Sequence, residues 1–142
     1  MQAKFVYEAI GDVLKPKSEE DIISSMKDLD RNILFIKSIE NRFLLGVKMA
    51  LERGANIHLA DNDALRWASE NGHYDLVKLL LDSGADVHAQ NDYALRWASH
   101  HGHYDVVKLL IDNGANVHAK NDSALRYASL EGHYDIVELL EK

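Results

Sequence analysis

The sequence predicts an all-α fold, a solenoid of stacked helix-turn-helix units, and two observations carry that prediction. A segment recurs three times at a spacing of 30 residues, beginning at Ala64-Leu65-Arg66-Trp67, Ala94-Leu95-Arg96-Trp97 and Ala124-Leu125-Arg126-Tyr127. Each copy holds two short apolar patterns with helical spacing, separated by Gly-His pairs at residues 72, 102 and 132. Helices of about eight residues are too short to be stable alone. Neighbouring units must therefore pack side by side and share one core.

Each unit is read as helix, turn, helix and loop. The first helix is expected from Ala64 to Asn71, and Gly72 ends it because glycine accepts the left-handed backbone of a helix C-terminus. The second helix is expected from Tyr74 to Asp82, with apolar residues at helical spacing, and Gly84 ends it. Short polar residues that could cap free amides stand just before the first helices: Asn62, Asp63, Asp92, Asp122 and Ser123.

The pattern divides the chain into a head and four units. Residues 1–30 lack the repeat and show two amphipathic helix patterns. We interpret this head as a cap on the array, with a docking segment for a partner or a larger assembly as the alternative. Residues 31–60 read as a degenerate N-terminal capping unit, because Arg42-Phe43 replaces the Gly-His pair. The remaining units are 61–90, 91–120 and 121–142, and Glu141 replaces an apolar residue where the array is expected to end.

These motifs resemble the ankyrin repeat family. The Gly-His turn, the aliphatic second helix and the ending Gly84-Ala85-Asp86-Val87 match that family, whereas the start of each unit carries arginine where the family has histidine. The resemblance implies an ankyrin-repeat solenoid that binds proteins. The family period is about 33 residues, and the shortfall lies between Val87 and Ala94, so short or absent β-hairpin fingers are expected. The variant start and shorter period are most similar to arrays of large viruses, phages and some bacteria.

Composition excludes several classes of function. The chain has no cysteine, so disulfides, thiolate metal sites and thiol nucleophiles are excluded. A net charge of −7 disfavours nucleic acid and anionic membrane surfaces as partners. Catalytic triads, phosphate-binding loops and zinc-protease motifs are not found. We therefore expect a monomer that is not an enzyme and has no cofactor, located in the cytoplasm, or in the host cytoplasm if the chain is viral.

Histidines and aromatic residues recur in register and are interpreted as structural. The eight histidines include two rows at the turns and loops, where a ring nitrogen can bond backbone: His73, His103, His133 and His58, His88, His118. Adjacent His100 and His101 point in different directions, so no metal is expected there. The resemblance implies that Trp67, Trp97 and Tyr127 stack between repeats, with exposed binding aromatics as the alternative. Tyr74, Tyr104 and Tyr134 are expected to be structural.

Three positions change chemical class between the copies and are the candidate partner-binding residues. They are Asp63, Tyr93 and Ser123; Glu70, His100 and Leu130; and Asn71, His101 and Glu131. Positions that packing does not fix can be fitted to a partner on the concave groove of a solenoid. Tyr93, His100, His101 and Leu130 are the expected anchors, and changing Tyr93 and His101 to alanine should weaken binding but not stability. The predicted function is a protein-protein interaction module; the alternative is a structural component of a viral or phage particle that docks through its N-terminal helices.

Overall fold

The computed structural model of the chain describes residues 28–142, and every regular element in that range is a helix. The helices are α1 (Arg31–Glu40), α2 (Leu44–Glu52), α3 (Leu59–Glu70), α4 (Tyr74–Asp82), α5 (Ala89–His100), α6 (Tyr104–Asp112), α7 (Ala119–Glu131) and α8 (Tyr134–Leu140). The predicted helical head, with its two possible roles, lies outside the described residues except for residues 28–30. No helix of residues 28–142 has the length and apolar character needed to cross a bilayer.

The chain divides into two compact units, and the described part of the first, Met1–Ala55, is a helical hairpin. The carboxylate of Asp30 caps α1 by accepting hydrogen bonds from the amides of Asn32 (2.9 Å) and Ile33 (3.1 Å). The two helices bury apolar side chains against each other: Leu34, Phe35, Ile39, Val47 and Ala50. Arg42 takes the left-handed position (φ 55°) that glycine occupies in the later turns.

The second unit, Asn56–Lys142, consists of three stacked helix pairs, α3–α4, α5–α6 and α7–α8. Its shared core is built from apolar side chains of every pair that are at most 2% exposed: Leu65, Ala68, Leu76, Val77, Leu80, Ala94, Leu95, Ala98, Val106, Val107, Leu110, Ala124, Ala128 and Ile136. These are the residues of the two helical patterns in each repeat. The predicted all-α architecture of stacked helix-turn-helix units is confirmed.

The loops that precede the first helices are compact left-handed turns. In the loop before Tyr93, three consecutive residues, 90–92, have φ between 52° and 56°, and residues 120–122 repeat this geometry. Left-handed geometry is costly for residues other than glycine, and asparagine and aspartate tolerate it best. The ranges of α3, α5 and α7 include these turns, so the right-handed helix of each begins only after residues 62, 92 and 122, close to the predicted start at Ala64 and its equivalents. These turns replace β-hairpin fingers, in agreement with the predicted short or absent fingers.

Candidate functional site

One recurring hydrogen bond joins each turn to the next repeat. Nε2 of His103 donates to the carbonyl of Glu70 (2.9 Å), and Nε2 of His133 donates to the carbonyl of His100 (3.0 Å). A carbonyl can only accept, so the Nε2 atom carries the proton. The ring of His103 also covers Gly72, where an added Cβ would lie 2.5 Å from its Nδ1 atom. The turn histidines thus fix the contact between repeats.

A second recurring bond joins the loops of successive repeats. Oδ1 of Asp92 accepts from Nδ1 of His88 in its own loop (3.0 Å) and from the backbone amide of Asn116 in the next loop (2.7 Å). Asn62 does the same with His58 (3.0 Å) and the amide of Asp86 (3.0 Å). Both acceptors are 4% exposed. These side chains, predicted to cap their own helices, instead satisfy amides of the following repeat.

The repeated arginines bond near the start of their own first helices, and Arg96 also bonds its loop. Arg66 forms an ion pair with Asp63. Arg96 donates from Nε to the carbonyl of Asn91 (3.0 Å) and from Nη2 to that of Gln90 (3.1 Å). The forked guanidinium can hold two carbonyls of a left-handed turn at once, which a lysine could not.

The candidate binding residues lie on one side of α3, α5 and α7, which we call the first-helix face. Helical spacing places the first, fourth, fifth, eighth and ninth residues of each segment on that side. The face therefore comprises Asp63, Arg66, Trp67, Glu70 and Asn71 and their equivalents: Tyr93, Arg96, Trp97, His100, His101, Ser123, Arg126, Tyr127, Leu130 and Glu131. The arginine and tryptophan rows belong to this surface, although the comparison of repeats overlooked them because they do not vary in class.

Most of the candidate residues are accessible on this face. Leu130 is 81% exposed. Asp63, Asn71, His101 and Glu131 are also exposed, whereas Glu70, Tyr93 and His100 are half-buried. Ser123 differs, since it is 3% exposed and its hydroxyl donates to the carbonyl of Lys120 (2.6 Å). Its small side chain bonds the left-handed turn instead of reaching the surface.

An aromatic cluster centred on Trp97 occupies the middle of the face. The centroid of the Trp97 ring lies 5.6 Å from Tyr93, 5.1 Å from His100, 5.8 Å from His101 and 6.0 Å from Tyr127. The contact with Tyr127 crosses a repeat junction, as the stacking prediction requires. The ring of Trp67 lies 5.0 Å from His73 of its own repeat. All three members of this row remain half-buried, so they contribute both to packing and to the surface.

Tyr93 connects the cluster to the preceding repeat. The guanidinium of Arg66 lies 4.5 Å from the centroid of its ring and that of Arg96 lies 5.6 Å away, both within reach of a cation–π interaction. The hydroxyl of Tyr93 lies 3.5 Å from Oε2 of Glu70. Tyr93 is the largest of the three side chains at its position in the repeats, and it bridges the junction between the repeats 61–90 and 91–120.

The second helices form a separate charged surface. Lys78 pairs with Asp82 (2.9 Å) and Lys108 with Asp112 (3.1 Å), and the hydrogen bond to the carboxylate raises the pKa of each lysine. The recurrent tyrosines that begin these helices, expected to be structural, are 41%, 38% and 75% exposed at Tyr74, Tyr104 and Tyr134. Asp105, Lys108, Leu109, Asp112 and Tyr74 line a shallow groove of about 330 Å³ between α4 and α6.

The histidine cluster has no metal-binding geometry. The rings of His100 and His101 are 4.8 Å apart and edge-on, and those of His101 and His103 are 6.1 Å apart and stacked. Within residues 28–142, no three histidine or carboxylate side chains converge as metal ligands. The Nε2 atom of His103 is occupied by the carbonyl of Glu70.

Comparison with known proteins identifies the family. A family model described as ankyrin repeats (3 copies) matches residues 7–91 and 65–142, a range that begins inside the segment predicted to be a separate head. No curated protein matches the chain. The matched ranges span nearly the whole sequence and include every helix described above. The chain therefore belongs to the ankyrin repeat family, whose members generally act as protein-protein interaction modules.

Proposed function

We propose that this chain is a non-enzymatic module that holds a protein or peptide partner on its first-helix face. The observation that carries the proposal is that one set of residues forms the bonds between repeats and a different set forms the variable surface. Recurring residues such as His103 and Asp92 are committed to bonds between repeats. Residues that vary in class, except Ser123, project from one side of three adjacent helices. A surface free of packing demands is the part of a repeat array that can be fitted to a partner.

The chemistry of the face supports protein binding. Interface cores are enriched in aromatic residues and arginine, and energetically dominant residues are enriched in tryptophan, tyrosine and arginine. The face combines Trp97, Tyr93 and Tyr127 with a row of three arginines and the exposed Leu130. A partner that covered Leu130 would remove its apolar surface from water.

The alternatives have less support. An enzyme that used the turn histidines has less support, because Nε2 of His103 and of His133 is held by a backbone carbonyl. A role in particle assembly through the N-terminal helices rests on residues 1–30, and no observation on residues 28–142 favours it. Protein binding through the repeats is therefore the function we propose.

Site-specific photo-crosslinking tests the proposal directly. A photoreactive phenylalanine analogue would replace either His101 or Leu130 on the face, and Tyr134 on the second-helix side as a matched control. All three positions are exposed and Leu130 and Tyr134 belong to the same repeat, so the stability of the variants should be similar. We expect one protein to be crosslinked from positions 101 and 130 in cells of the native host, and not from position 134. Equal crosslinking from all three positions, or crosslinking from position 134 alone, would contradict the proposal.

A further inference from the structure

We propose that the partner segment is basic, and that one of its arginine or lysine side chains lies over Trp97 and Tyr127 beside Glu131. This inference rests on the proposed function, because it assigns a chemical character to whatever occupies the first-helix face. It is carried by the charge at one end of that face, by the rings in its middle, and by the internal bonds of Arg66 and Arg96.

The turn end of the face is electronegative. The first helices end there at Glu70, His100 and Glu131, and the C-terminus of a helix carries partial negative charge. Glu70 and Glu131 add two carboxylates to the same end. No lysine or arginine of residues 28–142 forms an ion pair with either one. With a net charge of −7, the chain also attracts basic partners over longer distances at low ionic strength.

Glu131 is available to a ligand. Its side chain is 50% exposed, and its Oε1 atom lies 3.8 Å from Nδ1 of His100, beyond hydrogen-bond distance. That nitrogen is itself buried and has no hydrogen-bond partner among residues 28–142. The carboxylate is therefore not satisfied by an internal donor, and a cation from a partner could pair with it.

The rings beside Glu131 suit a cation. Trp97, His100 and Tyr127 form a continuous set with centroids 5.1 to 6.0 Å apart. Tryptophan is the best of the aromatic side chains for cation–π binding. The same face already shows this interaction internally, since Arg66 lies over the ring of Tyr93. A partner arginine over Trp97 would make the same kind of contact on another ring of the same helix.

An acidic partner fits the face less well. Arg66 is paired with Asp63, and Arg96 donates to two backbone carbonyls of its own loop. Of the three arginines of the face, only Arg126 is exposed, and its bond to the hydroxyl of Ser123 is a long one (3.4 Å). A partner carboxylate would have to compete with these internal acceptors. A partner cation would meet two carboxylates that no lysine or arginine of residues 28–142 engages.

A positional-scanning peptide array provides the test. Full-length purified chain would be applied to peptides in which one position is fixed as each amino acid and its neighbours are randomised. We expect arginine and lysine to be enriched, and glutamate and aspartate to be depleted, at one position of the retained peptides. The dissociation constant of a selected peptide would then be measured by fluorescence anisotropy, alongside a version with its arginine changed to glutamine.

Three variants locate the cation. Glu131→Gln should weaken the arginine peptide about two- to fivefold, the range for an exposed ion pair, and should not weaken the glutamine peptide. Glu70→Gln tests the other carboxylate of the turn end. Glu138→Gln, on the opposite side of the last repeat, removes the same charge from an exposed site and should leave the affinity unchanged.

Several results would overturn the inference. Enrichment of acidic or uncharged residues only, or equal effects of Glu131→Gln and Glu138→Gln, would show that the partner is not held by a cation at this place. The proposed function would survive those results, because peptides would still bind the face. If the wild-type chain retained no peptide at micromolar concentration, the basic-segment inference would be wrong, and the crosslinking experiment would decide the proposed function separately.

Discussion

Replacing Gly102 with alanine should destabilise the chain far more than the same change at Gly132, although both glycines occupy the same place in their repeats. Both have left-handed backbones, with φ of 79° and 77°. A Cβ on Gly102 would lie 2.6 Å from Cε1 of His133, whereas a Cβ on Gly132 would meet no atom within 4 Å. The comparison therefore separates the backbone cost from the steric cost.

The backbone cost is shared by the two variants. A left-handed alanine costs about 1–2 kcal/mol, offset by about 0.4–1 kcal/mol because alanine stiffens the unfolded chain. Only Gly102→Ala must also displace the His133 ring, at about 1–3 kcal/mol for overpacking, and lose its bond to the carbonyl of His100, worth about 0.5–1.5 kcal/mol. The two variants should differ by about 1.5–4.5 kcal/mol. At about 4 °C per kcal/mol for a domain of this size, the difference in Tm is about 6–18 °C.

Thermal and urea denaturation followed by circular dichroism would measure the difference, with urea included because repeat arrays can depart from two-state unfolding. A double variant supplies the internal check. On a His133→Ala background the clash is absent, so Gly102→Ala should cost no more than Gly132→Ala does alone. Equal melting temperatures for the two single variants, or an unchanged cost of Gly102→Ala after the ring is removed, would refute the role assigned to the turn histidine.

Three further predictions concern the loops and the second helices. Asp92→Ala should lower the free energy of unfolding by about 1–3 kcal/mol more than Asp122→Ala in urea denaturation, because only Asp92→Ala leaves the partly buried amide of Asn116 unpaired. Asp92→Asn should leave the free energy of unfolding nearly unchanged, since Asn62 has the same role in the preceding loop. A large loss of stability in Asp92→Asn would contradict this. Arg96→Ala should speed hydrogen exchange of the amides of residues 90–92, and Arg96→Lys should restore protection only in part; unchanged exchange would mean that the guanidinium does not hold the loop. Asp112→Asn should lower the pKa of Lys108, measured by NMR, towards the ordinary value of 10.5. Because the pKa of Lys108 is raised in the folded chain, its pair with Asp112 stabilises the chain below pH 10.5 and loses that effect as the pH rises through the raised pKa. Over that pH range, the urea midpoint of the wild type should fall more than that of Asp112→Asn.

The fold could be predicted from sequence because the signals that define it are local and periodic. Gly72 and Gly102 mark turns, and the aliphatic residues between Leu76 and Leu80 define one buried helix face. Such signals are repeated three times, so each copy supports the reading of the others. The stacking of Trp97 on the next repeat, where it contacts Tyr127, was instead implied by the resemblance to the family.

The left-handed loops could not be predicted in the same way. Gln90 and Lys120 adopt φ values of 52° and 54°, which neither residue type favours. Their geometry is held by tertiary bonds, among them those from Arg96 to the loop carbonyls and from Asp92 to the next repeat. The propensity of each residue does not contain this information, because the stabilising groups are side chains five or six residues away and a backbone amide of the next repeat.

The variation between repeats identified the first-helix face, but it did not show which side chains of that face reach the surface. Tyr93 and Ser123 occupy equivalent positions, yet the tyrosine reaches across the junction to Glu70, while the serine hydroxyl bonds its own loop and is buried. A change of chemical class among equivalent residues shows only that the packing of the repeats does not require one particular side chain at that position. Whether the new side chain reaches the surface depends on its length and on the nearest unsatisfied carbonyl.

The placement of the bonds between repeats explains how stability and recognition can coexist in so small an array. These bonds lie at the two ends of each first helix, in the His103 turn and in the Asp92 loop. At both ends a side chain bonds backbone, so the bond does not depend on the identity of the residue whose carbonyl or amide takes part. Glu70 and His100 accept the same histidine bond through their carbonyls while their side chains differ in charge and shape. The side chains of the face can therefore change to suit a partner without loss of the contacts that hold the repeats together.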